Sequence, residues 1–448
     1  MKIILIQPKF NTHLITPPLG LGYIAGSLIK DGHNVKLLDC IKEDIDVLKE
    51  IRETSPDFIG ITILSISYGV AIKLIKDIRK NSDTKIVIGG AHVSALPEQS
   101  LKDTEADFAV IGEGEETFRE LCSNNDYKNI NGLAFRKDEE IIINKPRDLI
   151  KDIDSIPFPA WEIINPDTYP PTPHGAFYKH FPIAPITTTR GCPFNCIFCA
   201  SKCTWKQKLR VRSAKNVVDE IEYLNKKFGI QEFHFEDDNF TFSRSHVVDV
   251  CNEILERKLN IVWACPNGVR IDKLDYEIVS LMKKSGCYQL SFGIESGSQE
   301  IINSINKHMD LKIVPNVVKM VKSLGIKTCG FFIVGLPEDT KETIEETINF
   351  SISVPFDVAQ FSRFIPLPGT KPFDDWYKDN FDWNMINHVG DKSTYRTKNL
   401  TTKEIISLQK KAFWRFYLRP KTILKVIISM KPIQYYWFVK RIADYKLW

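Results

Sequence analysis

Short apolar strands alternate with helical stretches twice along this chain of 448 residues, and a proline-dense stretch separates the two runs. In the first run, strands are expected at 2–7, 34–38, 57–64, 85–88 and 108–111. Helical periodicity fills the gaps at 20–30, 44–53, 68–81 and 115–122. Strands joined by helices of this length form βαβ units and a parallel sheet. The expected fold is a flavodoxin-like or Rossmann-like α/β domain over 1–125. Such sheets take ligands at the carboxyl ends of their strands, at a topological switch point.

Residues 126–182 read as a connector. The stretch 131–143 alternates like a hairpin, with Lys137-Asp138-Glu139 at its turn. Pro157, Pro159, Pro166, Pro170, Pro171, Pro173 and Pro182 then exclude regular helix. From 183 the alternation resumes, with strands at 183–189, 232–236, 261–266, 289–293, 329–334 and 358–364. Helices are expected at 214–228, 245–257, 276–285, 311–324 and 341–354. Six repeats suggest a partial (β/α)6 barrel over 183–370, with chemistry at the C-terminal strand ends. A helical region, 371–448, follows.

The strand ends carry the specific residues. Thr189-Arg190-Gly191-Cys192-Pro193-Phe194-Asn195-Cys196-Ile197-Phe198-Cys199 follows the first barrel strand. Thiolates at this spacing can hold three irons of a 4Fe–4S cluster and leave the fourth open to a small molecule. The alternative is a structural zinc site, which needs a fourth ligand that Cys203 or His234 could supply. Further barrel candidates are Glu236-Asp237, Asn267, Arg270, Glu295 and Val334. In the first domain the loops are Pro17-Pro18-Leu19-Gly20-Leu21-Gly22, Ser65-Ile66-Ser67-Tyr68-Gly69, Gly89-Gly90-Ala91-His92 and Gly112-Glu113-Gly114. Glycine lets a backbone approach a bulky planar ligand, although any one of these loops could be a tight βα turn. No GxxxxGK[ST] loop occurs, so phosphate-loop chemistry is not expected.

With these motifs in place, the chain resembles the cobalamin-dependent radical SAM enzymes, the group that includes the class B methyltransferases. The resemblance implies a 4Fe–4S cluster on Cys192, Cys196 and Cys199, with S-adenosylmethionine (SAM) on its open iron. Glu236 and Asp237 would meet the SAM amino group, Glu295 the ribose hydroxyls and Val334 the adenine. Asn267 and Arg270 face the same rim, and Arg270 could pair with the SAM carboxylate. Cobalamin would lie on Pro18, Leu19, Gly20, Ser65, Ser67, Tyr68, Gly89, Gly90, His92, Gly112, Glu113 and Gly114. The DxHxxG motif that supplies a cobalt-ligating histidine in many cobalamin domains is absent. His13 and His92 lack that context, so base-off cobalamin above Leu64–Tyr68 is expected.

The implied activity is reductive cleavage of SAM to a 5′-deoxyadenosyl radical and methylation of an unactivated carbon. The substrate would be a small metabolite, natural product or lipid. A radical cyclase or C–C bond-forming enzyme without methyl transfer stays open, as does a non-enzymatic corrinoid or iron–sulfur carrier. No catalytic side chain is assigned beyond the cluster ligands. An external electron donor such as flavodoxin or ferredoxin is implied.

Composition adds a location and a partner surface. No apolar N-terminal stretch is long enough for a signal peptide, and no run of about 18 apolar residues exists. The ten cysteines are therefore read as cytoplasmic thiols or ligands. Cys251, Cys265, Cys287 and Cys329 lie on apolar stretches and read as core. Residues 405–443 carry nine Lys or Arg and no acid, with aromatic runs at 413–417 and 435–438. This segment is either a helical cap or a surface that touches the inner membrane face; nucleic acid is not an expected partner.

Overall fold

The computed structural model describes residues 1–10, 12, 14–172, 177–376, 383, 395–429, 435, 436, 439, 440 and 443. His13, Pro173, Trp437 and Phe438 lie outside the described residues. The chain forms two compact units: Met1–Pro170 with Cys199–Arg210 and Leu367–Ile386, and Pro171–Phe198 with Val211–Pro366 and Asn387–Trp448.

The first unit holds β1 (Lys2–Gln7), β2 (Asn34–Asp39), β3 (Phe58–Thr62), β4 (Lys85–Gly89), β5 (Phe108–Val110), β6 (Leu133–Lys137) and β7 (Glu140–Ile143). They form one sheet in the order β2-β1-β3-β4-β5-β6-β7. Strands β1 to β5 are parallel. Ile3, Leu5 and their neighbours Ile4 and Ile6 are fully buried, as expected for a strand covered on both faces. Helices α1 (Leu19–Lys30), α2 (Val47–Thr54), α3 (Tyr68–Arg79), α4 (Ala91–Ala95), α5 (Pro97–Asp103) and α6 (Gly114–Ser123) follow the strands in turn, and the later segments of this unit add α7 (Ser201–Trp205) and α14 (Lys371–Trp376).

The hairpin assigned to the connector is part of this sheet. Phe108, Ala109 and Val110 pair antiparallel with Phe135, Ala134 and Leu133, and these three partners are buried. They cover an edge that β5 would otherwise leave open, so the sheet does not stop at residue 125. The stretch after it also packs within this unit. A Cβ on Gly22 of α1 would lie 2.6 Å from Ile164, so glycine there lets the helix approach the proline-rich chain.

The second unit holds β8 (Ile183–Ile186), β9 (Glu232–Phe235), β10 (Val262–Val269), β11 (Cys287–Glu295), β12 (Lys327–Val334) and β13 (Val358–Arg363). All pair parallel, in sequential order. The intervening helices include α8 (Ala214–Phe228), α9 (Arg244–Glu256), α10 (Tyr276–Lys284), α11 (Gln299–Ser304), α12 (Val314–Ser323) and α13 (Lys341–Ser353). This is the six-stranded partial barrel.

Its N-terminal end is closed by a buried polar network. Glu232 accepts the backbone N–H groups of Lys179 at 2.6 Å and His180 at 2.5 Å, and the Tyr288 hydroxyl at 2.6 Å. His234 sits 3.2 Å from the same carboxylate, which takes it away from any zinc role. Helix α15 (Thr402–Tyr417) is capped by Thr401 with Glu404. It buries Ile405, Gln409, Ala412 and Phe416, and Gln409 donates to the Phe361 carbonyl at 2.8 Å. Lys411 and Arg415 both reach Glu345 of α13. Much of the basic charge on α15 is thus turned onto the barrel, while Leu424 and Ile428 of α16 (Pro420–Ser429) stay exposed.

Candidate functional site

The cysteine run starts where β8 leaves the sheet, and a buried carboxylate fixes that exit. Asp237, just past β9, accepts from Thr188 N at 2.8 Å, Thr188 Oγ1 at 2.9 Å and Thr189 Oγ1 at 3.0 Å, and also from Thr189 N. Burial outweighs these donors and pushes the carboxyl up to about 6. Asp237 was expected to meet the SAM amino group. Its oxygens are instead turned onto the base of the run, and Glu236 is the half-buried carboxylate left at that strand end.

Six of the ten cysteines are buried; Cys192, Cys196, Cys199 and Cys203 are half-exposed. Burial pushes the Cys192 and Cys196 thiols up, against the pull of Arg270 and Lys307. Among the described residues no three Cys, His, Asp or Glu side chains converge where one metal ion could sit. A 4Fe–4S cluster does not require that, because each thiolate binds a different iron. Three accessible thiols on one short run fit such a cluster.

Arg270 was expected to face the SAM carboxylate. Its guanidinium is taken up elsewhere. Nε donates to Asp272 Oδ1 at 2.8 Å and Nη2 to Asp272 Oδ2 at 3.0 Å. Nη1 donates to the Lys307 carbonyl at 2.7 Å and Nη2 to the His308 carbonyl at 2.9 Å. The plane lies 3.9 Å from the Phe194 ring centroid. Arg270 therefore clamps the cysteine run to the segment after β11. Ile197 N–H adds a bond to the Ile305 carbonyl at 3.1 Å.

Glu295, the expected ribose acceptor, ends β11 and forms a buried ion pair with Lys307 at 2.6 Å. Lys307 was missed, and its pairing has no signature in a single sequence because the partner lies a helix away. Val334 is fully buried. Strand β12 alternates, with Phe331 and Ile333 half-exposed and Gly330, Phe332 and Val334 buried. The side chain of Val334 is on the covered face, and Phe331 and Ile333 are on the half-exposed one. Asn267 is exposed and donates to the Glu236 carbonyl at 2.8 Å.

In the first unit the switch point lies between β1 and β3, where the strand order reverses. Leu64 stands there 41% exposed, an apolar side chain at a strand end. Ser65 Oγ is 2.9 Å from His92 Nδ1. His92 stacks on Tyr68 at 3.9 Å and meets Trp383 edge-on at 4.7 Å. Burial pulls its pKa down to about 3, so the ring is neutral. Its Nε2 is buried without a hydrogen-bond partner, an orphaned polar atom that a ligand group would satisfy.

The other candidates divide by what they touch. Gly90 has φ 104°, and a Cβ there would lie 2.8 Å from the Ile63 carbonyl, so only glycine fits. Gly112, at φ 80°, donates its N–H to Ser94 Oγ at 2.9 Å. Gly89 is half-exposed, and Gly20 is exposed with open space around it. Six residues are taken up by the fold. Ser67 bonds the Leu64 backbone, and Tyr68 is buried with its hydroxyl on Asp103 at 2.9 Å. Glu113 accepts from Ile150 N at 2.9 Å and Arg210 Nη1 at 2.7 Å. Pro18 begins α1, its carbonyl accepting Gly22 N–H at 2.9 Å, and Leu19 packs beside Tyr23 and Ile153. Gly114 begins α6.

The chain is similar to known proteins over both of its sheets. Residues 10–122 match the B12 binding domain model and residues 186–351 the radical SAM superfamily model. The uncharacterized methyltransferase PH0819 of Pyrococcus horikoshii is 33% identical, over 96% of this chain and 95% of its own. The cytidylyl-2-hydroxyethylphosphonate methyltransferase of Streptomyces wedmorensis is 30% identical, over 83% and 80%. An anaerobic magnesium-protoporphyrin IX monomethyl ester cyclase of Cereibacter sphaeroides is 29% identical, over 94% and 71%. In fold, the chain is similar to the radical SAM methyltransferase TsrM from Kitasatospora setae, with TM-score 0.68 and 19% identity, covering 80% of this chain and 72% of that one.

Proposed function

The chain belongs to the radical SAM enzymes that carry an N-terminal cobalamin-binding domain, and we propose that it methylates an unactivated carbon of a small molecule. The observation that carries this reading is the pairing, in one chain, of an accessible CxxxCxxC run beyond the first barrel strand with a second parallel sheet that matches the B12 binding domain. Two relatives at 30% identity or above carry the name methyltransferase. When bound, the cluster and cobalamin supply the chemistry of reductive SAM cleavage and methyl transfer.

The protein's own residues orient and exclude. Cys192, Cys196 and Cys199 hold the cluster. Glu236, Asn267 and Glu295 present oxygens to the amino group and ribose of SAM, and Phe331 and Ile333 present apolar surface to its adenine. Asp237 and Arg270 hold the run in place. Leu64, Ser65, Gly89, Gly90, Gly112 and the His92 Nε2 form the cobalamin surface. A low-potential donor of the flavodoxin or ferredoxin type supplies electrons in the cytoplasm.

The basic C-terminal region is read as a contact with an anionic membrane face through α16. Among the described residues no helix is long and apolar enough to cross a membrane. A second reading, radical cyclisation without methyl transfer, is favoured by the cyclase relative that matches 94% of this chain. Anaerobic protein reconstituted with iron, sulfide and hydroxocobalamin separates the two. With methyl-deuterated SAM and a cell extract, labelled methyl in a small-molecule product supports the proposal. Deoxyadenosine without any methylated product favours the second reading.

A further inference from the structure

Lys307 stands where several unusual features meet. It is flanked by Asn306 at φ 56° and His308 at φ 49°, and its partner Glu295 has φ 67°. Left-handed backbone is uncommon at non-glycine residues and persists where the surroundings enforce it. Room for the ion pair comes from Gly293. A Cβ there would lie 2.7 Å from Glu295 Oε1 and 3.0 Å from Lys307 Nζ.

The segment around Lys307 is also fastened to the cysteine run. Arg270 holds the carbonyls of Lys307 and His308 and lies against Phe194. Ile197 bonds Ile305. The Lys307 ammonium is 6.0 Å from the centroid of Phe198, the residue before Cys199.

We propose that Lys307 is a positioning residue that sets how readily the cluster accepts its electron, by holding a fixed positive charge, seated on Gly293 and Glu295, against the cysteine run. This rests on the reading that Cys192, Cys196 and Cys199 carry the cluster. Reduction adds one negative charge to a half-exposed site, where a charge held close by still shifts the reduction potential. Lys307 favours the reduced state, and Glu295 moderates it.

The test uses the full-length protein, reconstituted anaerobically with iron and sulfide, without SAM. It is titrated with dithionite in the presence of mediators and followed by EPR. At the wild-type midpoint, the reduced-to-oxidised ratio of Lys307→Gln falls about tenfold, ~59 mV for a one-electron couple. Lys307→Arg stays within about twofold, because charge is retained. Glu295→Gln rises by about threefold or more, since the ammonium is no longer neutralised. A Lys307→Gln ratio close to wild type overturns the proposal. So does an equal fall in Lys307→Gln and Lys307→Arg, which assigns the effect to packing. If Lys307→Gln holds no cluster, Glu295→Gln decides: a rise supports the proposal, and no rise overturns it. Wild-type protein without any cluster signal instead overturns the cluster reading, and this inference with it.

Discussion

The strand ends of the two sheets are made of different chemistry. Beyond the barrel strands stand charged side chains, each tied to a partner: Asp237 on two threonines, Arg270 on Asp272 and two carbonyls, Glu295 on Lys307. Beyond the first sheet stand glycines, Ser65, Leu64 and an uncharged His92. A small zwitterionic ligand such as SAM needs placed charges. A wide corrinoid needs close backbone approach and few charges. The difference fits the proposal that SAM sits at the barrel strand ends and cobalamin at those of the first sheet.

The largest effect should come from the barrel's clamp. Arg270→Met leaves Asp272 half-buried without its partner and frees the segment at 307–308. Loss of about 4 kcal/mol in urea unfolding is expected; a loss below about 1 kcal/mol would show that the charges there are not structural.

The two sheets should also answer pH in opposite directions. His92 is pulled from 6.5 down to about 3, so its contribution is present above pH 6.5 and is lost as pH falls below that value. Asp237 is pushed from 3.8 up to about 6, so its contribution is present below pH 3.8 and is lost as pH rises towards 6. Each changes stability by about 1.4 kcal/mol per pH unit inside its window. Unfolding of His92→Phe should lack the acid-side loss expected of wild type. Asp237→Asn should lack the loss between pH 3.8 and about 6. Parallel slopes in both variants would break the comparison.

Smaller effects separate the glycines. Gly90→Ala meets the Ile63 carbonyl at φ 104° and should lose about 2 kcal/mol and part of the bound cobalamin. Gly20→Ala enters open space and should stay within about 0.5 kcal/mol. Cobalamin absorbance per chain reads both.

Much of this was legible in sequence for a simple reason: periodicity and short spacings are local. The βα alternation and the Cys192–Cys199 run are complete within a few residues each. Pairing across elements is not. Nothing in the sequence says that Asp237 turns towards Thr188, that Arg270 closes on the Lys307 carbonyl, or that Glu295 meets Lys307. A carboxylate at a strand end reads as a ligand until its hydrogen-bond donors are seen. The hairpin at 131–143 was visible as a hairpin, but its pairing to β5 depends on an edge that only the assembled sheet exposes. In the loop after β1 the glycines look alike in sequence, yet Gly22 serves helix packing while Gly20 stays open.

The central claim is that the thiols of Cys192, Cys196 and Cys199 hold the cluster that cleaves SAM. The direct measurement is 5′-deoxyadenosine formed from SAM and dithionite by anaerobically reconstituted protein, compared with the variant in which all three are alanine. Formation by the wild type and none above background in the variant is the predicted result. Deoxyadenosine at the wild-type level from the variant would contradict it.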